Sequence, residues 1–552
     1  MKTIIIGGVA GGASAAARLR RLDESAEIIL LERGEHISFA NCGLPYYIGG
    51  DIRDKSALTL QTPTSFGGRF RVDVRVLSKA VAINAGEKAV TIRDRTTGRE
   101  YIERYDRLIF APGASPIVPS VPGVDNVGVF TLRNIPDTLR IKSFVAENTP
   151  KKAVVVGGGF IGIEMAENLA QCGMEVTIVE MAGHLVASLD SDTACDLHAH
   201  LREKGVALEL NNTLAAIEKD GPDLIVRLAN SEVCAQLVVL SIGVRPESGL
   251  AAAAGLELNE RGCVVVDEHM RTSDPSIYAV GDVVECVSFI TGAPAYIPLA
   301  GPANRQGRIA ADNICGIDSR YTGTQGSAVA KVFDMIVACT GVTEAAAKAQ
   351  GIACDKVHLY SASHATYYPG AQMMSLKLLF EIPTGRVLGA QILGVSGVEK
   401  RCDVLATAIR ANMTVYDLTR LELCYAPPYS SAKDPVNMAG FVAENILTGK
   451  VKNFHWENLD ALDRTTTAIL DVRTEGEASH GKLGDSIHIP LDSLRGRLGE
   501  LDQSKTLYVH CHSGLRSYIA CRILAANGFD CYNISGGWRL YSAMQADTRT
   551  RS

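Results

Sequence analysis

Short apolar runs alternate with amphipathic and glycine-rich stretches, and this pattern predicts stacked β–α units. Lys2–Ile6, with three consecutive isoleucines, reads as a parallel strand buried on both faces. An Ala/Arg-rich helix to about Leu22 follows, then a second apolar strand over Glu27–Leu31. The same order returns at Lys152–Val156, a helix through Leu169, and a strand over Val176–Val179. A third such unit starts near Ala468 and includes a strand over Thr506–Val509 and a helix to Ala526. Repeating units of roughly 20–50 residues are absent, which excludes a solenoid. No stretch of about 18 apolar residues occurs, so no membrane span is expected. The apolar run before Gly7 is too short for a secretory signal.

At about 150 residues per domain, 552 residues predict three or four domains. The 55 Lys and Arg against 61 Asp and Glu leave a net charge of −6, which argues against a nucleic-acid binder. The 14 cysteines run from Cys42 to Cys531 without one CxxC pair. They are too dilute for a disulfide scaffold, and a reduced, cytoplasmic protein without a metal site is expected.

Two glycine loops carry the first chemistry. Gly7, Gly8, Val9, Ala10, Gly11 and Gly12 join the first strand to its helix, and Glu32 ends the next strand. Such glycines let a backbone approach a pyrophosphate at the helix N-terminus, while the acid holds a ribose diol. The middle glycine of the G-x-G-x-x-G pattern is Val9 here. The second loop matches fully, with Gly157, Gly159, Phe160, Ile161 and Gly162, and Glu180 closes its strand. Glu180 accepts from a 2′-hydroxyl and repels a 2′-phosphate, and Met181 and Ala182 supply no cation, so NADH is favoured over NADPH. Between and after these loops come Ala111-Pro112-Gly113, then Gly243 before Val244-Arg245-Pro246, then Gly281-Asp282.

That order resembles the FAD-dependent pyridine nucleotide-disulfide reductases over residues 1 to about 445. The resemblance implies that NADH reduces FAD, and FAD a sulfur site. It implies FAD and NADH contacts that also include Arg33, Asn41, Glu164, Pro298, Leu299 and Ala300, with Asp282 on the ribityl chain.

Most such reductases carry C-x4-C after the first unit. Here Ser38–Tyr47 holds only Cys42, and Tyr47 stands where the second cysteine would fall. A lone thiolate must store oxidation as a mixed disulfide, a persulfide or a sulfenic acid; the plain alternative is a space-filling buried cysteine. The string resembles coenzyme A-disulfide reductases, the single-cysteine branch, which implies a mixed disulfide of Cys42 with coenzyme A. Ser14, Arg18 and Arg21 share one helical stripe, where two guanidiniums fit phosphates. The alternative is a solvated basic face, since Arg20 charges another side. Family position adds Ser38, Asn41, Arg71, Asn304 and Arg305 to the coenzyme A contacts, and matches Tyr367 and Tyr425 to tyrosines that approach the cysteine from a second subunit. They would act as acids or hydrogen-bond donors in a homodimer, against a reading as interface aromatics. Ala10 stands where NADH oxidases and peroxidases carry a histidine, which speaks against oxygen chemistry.

The C-terminal stretch has its own signature. Asp471-Val472-Arg473 ends a strand, His510-Cys511-His512-Ser513-Gly514-Leu515-Arg516-Ser517 joins a strand to a helix, and Gly536-Gly537-Trp538 follows. Curved backbone N–H groups and Arg516 favour the Cys511 thiolate and its persulfide. The loop resembles single-domain rhodaneses. A phosphatase would need C-x5-R, and Arg516 is one residue short. Cys521 and Cys531 read as structural, with Cys531 a possible exposed bystander.

The expected architecture is α/β: two Rossmann-like nucleotide-binding domains, an α+β dimerisation domain and an α/β rhodanese domain. FAD takes 1–120 and 245–322, NADH 121–244, dimerisation 323–447, a linker 448–462 and rhodanese 463–545. The expected activity is NADH- and FAD-dependent reduction of sulfane sulfur in persulfide, polysulfide or coenzyme A persulfide. The alternatives are a coenzyme A-disulfide reductase, an NADH oxidase, and a non-catalytic redox sensor or sulfur-relay adaptor.

Overall fold

The computed structural model describes residues 1–549. The chain forms two compact units: Met1–Met181 with Asn211–Thr324, and Ala182–Leu210 with the chain from Gln325 onward. Among the described residues, no helix is long and apolar enough to cross a membrane.

The first unit contains a five-stranded parallel sheet in the order Ile277–Ala279, Arg107–Phe110, Lys2–Ile6, Glu27–Leu31, Asp73–Arg75. Its central strand ends in three isoleucines because each face feeds a different core. Ile5 joins the core under the helix Ala10–Leu22, and Ile4 and Ile6 join the opposite one. That helix packs closely on the helix Ala300–Ile314: a Cβ at Gly307 would lie 2.2 Å from the Gly11 carbonyl oxygen. Arg20 is not solvated as its alternation suggested. It is buried and donates to the carbonyls of Phe70, Asp23, Glu24, Ala26 and Arg71, which gives its guanidinium the hydrogen bonds that burial demands. The same unit holds the parallel strands Val129–Thr131, Leu237–Leu240, Lys152–Val156 and Glu175–Glu180, paired in that order.

The second unit contains an antiparallel sheet ordered Ala328–Val332, Met335–Gly341, Val387–Gly394, Met373–Glu381, Cys354–Ala362. It also contains a parallel sheet ordered Lys452–Phe454, Cys531–Ile534, Thr506–His510, Thr467–Asp471, Ile487–His488. Most of the expected linker is therefore structure. Lys452–Phe454 is an edge strand, and Trp456 and Leu459 are buried in one core with Tyr360, Ile469 and Leu540. Two apolar residues three apart in a polar stretch were too sparse to reveal it. The helix Ser191–Glu203 also groups with this unit rather than with the second fingerprint. Its Asp192 takes Lys377 at 2.8 Å, Lys356 at 3.1 Å and His358 at 3.1 Å, and Lys356 also meets Glu344 and Glu457. All three side chains come from two paired strands, where His358 is opposite Lys377.

Candidate active site

Both glycine loops are shaped as close-approach turns. Gly7 has φ +102°, and a Cβ there would lie 2.0 Å from the Ala111 carbonyl oxygen. A Cβ on Gly12 would lie 1.9 Å from the Gly7 carbonyl oxygen, and one on Gly162 would lie 1.9 Å from that of Gly157. These contacts hold each helix against its strand. The middle position has no such need: Gly159 sits at φ −75° and Val9 at φ −102°, both ordinary for an L-residue. Hence valine is tolerated where the pattern has glycine. Glu32 accepts from the Gly8 N–H at 3.1 Å and Glu180 from the Gly158 N–H at 2.7 Å, so each strand-end acid also braces its loop. A close-approach glycine turn, the N-terminus of a 13- or 12-residue helix and a strand-end carboxylate fit a dinucleotide at each loop.

The other expected cofactor residues fall around these loops. Leu299 caps the helix Ala300–Ile314 directly after Pro298. Gly281 donates to Gln306 at 2.7 Å, and burial holds the carboxyl of Asp282 above its ordinary range. Arg33 is committed within the protein: both terminal nitrogens reach Glu247 at 2.6 Å. Burial resists the charge of Glu247, but Arg33, Ser115 and Arg133 outweigh it and bring its pKa to about 2.

Cys42 lies in the short turn Asn41–Gly43, before the helix Leu44–Gly49. The residue is exposed, yet both influences on its sulfur raise the thiol: burial first, then the charge of Glu164. Glu164 is half-buried on the helix Phe160–Gln171, and the Tyr46 hydroxyl donates to it at 3.3 Å. Burial lifts Glu164 to about 7, Glu167 adding and Tyr46 opposing. Tyr46 was not among the expected site residues. Its spacing of four from Cys42 was the available signal.

The expected phosphate stripe is divided. The Ser14 hydroxyl donates to Asn304 at 2.8 Å, and Arg18 is paired with Asp312 at 2.7 Å. Arg21, Asn304 and Arg305 are exposed, and Arg71 meets Glu24 at 3.5 Å on the surface. Ser38, at positive φ, donates its N–H to Gly8 and its carbonyl accepts from Leu60.

In the second unit the structure brings Tyr367 and Tyr425 together, their hydroxyls 2.7 Å apart and both rings exposed. A buried arginine absent from the sequence reading fixes the segments that carry them. Arg401 donates to the Ser363 carbonyl at 3.0 Å, to the Ser430 hydroxyl at 3.0 Å and to Asp434 at 2.9 Å. The Ala365 N–H donates to the Ser430 carbonyl at 3.0 Å, tying one segment to the other.

Cys511 is fully buried at the turn into the helix Leu515–Ala526. Its sulfur accepts from the Gly514 N–H at 3.1 Å and from the Ser517 hydroxyl at 3.4 Å. Arg516 is held by Glu477, another residue the sequence reading missed, at 2.6 and 2.7 Å. The Asp471–Arg473 pair is buried behind the loop, and the Arg473 guanidinium lies 4.4 Å from the centre of the Trp538 ring. Cys531 is not exposed: it and Cys521 fill the same core as Cys511, because the strand Cys531–Ile534 lies inside the sheet.

Residues 1–307 match the pyridine nucleotide-disulphide oxidoreductase family, residues 327–435 its dimerisation domain, and residues 456–544 the rhodanese-like domain. The chain belongs to the pyridine nucleotide-disulphide oxidoreductases, and it carries a rhodanese domain after the dimerisation domain. Coenzyme A disulfide reductase of Staphylococcus haemolyticus (strain JCSC1435) is 33% identical over 446 residues, 81% of this chain and 100% of that protein. Reduced Bacillus anthracis CoADR-RHD has a TM-score of 0.97 at 50% identity, covering 99% of this chain and 98% of that one. A NAD-dependent persulfide reductase from A. fulgidus has a TM-score of 0.92 at 39% identity, covering 98% and 100%.

Proposed function

We propose that this oxidoreductase reduces the sulfane sulfur of persulfides, coenzyme A persulfide among them, with NADH as electron donor and FAD as bound cofactor. The observation that carries the reading is the pairing of two sulfur sites in one chain. Cys42 has no cysteine partner in its loop, and Cys511 sits in a hydrogen-bonded cradle suited to a persulfide. The A. fulgidus relative is a persulfide reductase covered end to end.

The first glycine loop and Glu32 would hold FAD, and the second loop and Glu180 would hold NADH. A bound flavin supplies the electron pair, taken from NADH. Cys42 as thiolate attacks the outer sulfur of R–S–SH, forming a Cys42 persulfide and releasing R–S⁻. The electron pair then breaks the new S–S bond, returning the Cys42 thiolate and freeing HS⁻. Tyr367 and Tyr425, supplied by a second copy in the dimer, would donate to the departing thiolate. Arg21, Asn304 and Arg305, which are exposed, would meet coenzyme A together with Ser14, Arg18, Ser38, Asn41 and Arg71. Cys511 would take up or deliver sulfane sulfur.

The second reading, a coenzyme A-disulfide reductase, rests on the S. haemolyticus relative. Anaerobic turnover of NADH with coenzyme A persulfide and with coenzyme A disulfide separates the two. The proposal expects the higher kcat/KM on the persulfide. A higher value on the disulfide selects the second reading.

A further inference from the structure

The arginine beside Cys511 is already neutralised. Arg516 gives one terminal nitrogen to each oxygen of Glu477, at 2.7 and 2.6 Å, a bidentate pair. Its charge also acts on Cys511. Glu477 is not an incidental partner. It is the third residue of the helix Glu475–Ser479, and its carboxylate also accepts from the Thr474 N–H at 3.0 Å and hydroxyl at 2.9 Å. This capping box fixes the carboxylate where the guanidinium arrives.

The buried Arg473 is likewise matched. Arg473 is spent on Asp471 and on the Gly481 carbonyl. Arg539 lies 4.3 Å from the centre of the Tyr360 ring and acts on Asp196. Burial keeps His512 below its ordinary range, which leaves it neutral near pH 7. The sulfur of Cys511 is thus met by neutral donors and by one guanidinium shared with a carboxylate.

This balance discriminates among sulfur donors. Thiosulfate brings two negative charges and leaves as a sulfite dianion. A thiol persulfide brings at most one charge at the sulfur group that enters the loop, and leaves as a thiolate. We propose that Glu477 sets the donor class of Cys511, admitting thiol persulfides and rejecting sulfur oxyanions; this rests on the reading of Cys511 as a sulfur-transfer residue. The accepted step is Cys511–S⁻ + R–S–SH → Cys511–S–SH + R–S⁻. The donor's S–S bond breaks, one forms on Cys511, and no outside oxidant or reductant is needed.

The test uses the full chain without NADH, offered glutathione persulfide or thiosulfate, with loading of Cys511 read by mass spectrometry. Wild type is expected to load from the persulfide and far less from thiosulfate. Glu477→Gln keeps a capping side chain but removes the charge. It should raise thiosulfate loading by about tenfold or more and change persulfide loading less. Glu477→Asp keeps the charge and should retain the wild-type preference. The proposal is overturned by equal loading in wild type, by an unchanged preference or lost loading in Glu477→Gln, or by a Glu477→Asp that admits thiosulfate. If wild type loads from neither donor, the sulfur-transfer reading of Cys511 itself fails.

Discussion

At the scale of single residues, Cys42 works against its own surroundings. Burial and the nearby Glu164 both favour the thiol over the thiolate. Glu164 is itself lifted from 4.5 to about 7, by burial first. An acid raised by folding contributes most to stability below about pH 4.5, and that contribution is lost as pH rises through about 7. The same titration governs Cys42. Glu164→Gln should speed alkylation of reduced Cys42 at pH values above about 7, where the native carboxyl is charged. Below that pH the variant and the native protein should react alike. A difference that persists to pH 5 would show that the charge of Glu164 is not the cause. The sequence revealed Cys42 through its isolation. It did not reveal Tyr46 or Glu477, whose parts depend on which side chain a fold brings opposite. Arg20 was misread for the same reason: an arginine on an exposed-looking helix turn became the cap of several carbonyls.

At the scale of elements, the glycine loops were legible because their requirement is local. A Cβ at Gly12 or Gly162 meets a carbonyl oxygen of its own turn, whatever the rest of the chain does. The middle glycine answers to a ligand rather than to backbone geometry, so Val9 does not disturb the turn. The segments bearing Tyr367 and Tyr425 show the opposite case. They are irregular, and their order comes from Arg401 and Asp434, distant in sequence and both buried. Arg401→Met should cost about 3–5 kcal/mol, because it leaves Asp434 buried without its cation. Hydrogen exchange should rise in 363–370 and 425–430 in particular. An unchanged thermal midpoint would refute this role. The edge strand Lys452–Phe454 was not legible at this scale either, since three residues leave almost no periodic signal.

At the scale of the whole molecule, the order of motifs carried more than any one of them. Fingerprint, A-x-G, fingerprint, G-x-R-P and A-x-G-D follow the succession in which strands enter two sheets, and Ile277–Ala279 returns to the first. What the order did not contain was the ionic core of the second unit. There Lys356, Lys377 and His358 surround Asp192 and join a helix, a sheet and the Trp456–Ala461 turn. Lysines in a strand read as surface until a buried carboxylate faces them.

The central claim is that reducing equivalents from NADH reach sulfane sulfur through Cys42. Anaerobic assay of the native protein and of Cys42→Ser, measuring sulfide released per NADH consumed with a thiol persulfide as substrate, tests it most directly. The account predicts one sulfide per NADH for the native protein and loss of NADH-dependent sulfide release in Cys42→Ser. Sulfide release by Cys42→Ser at the native rate would contradict it.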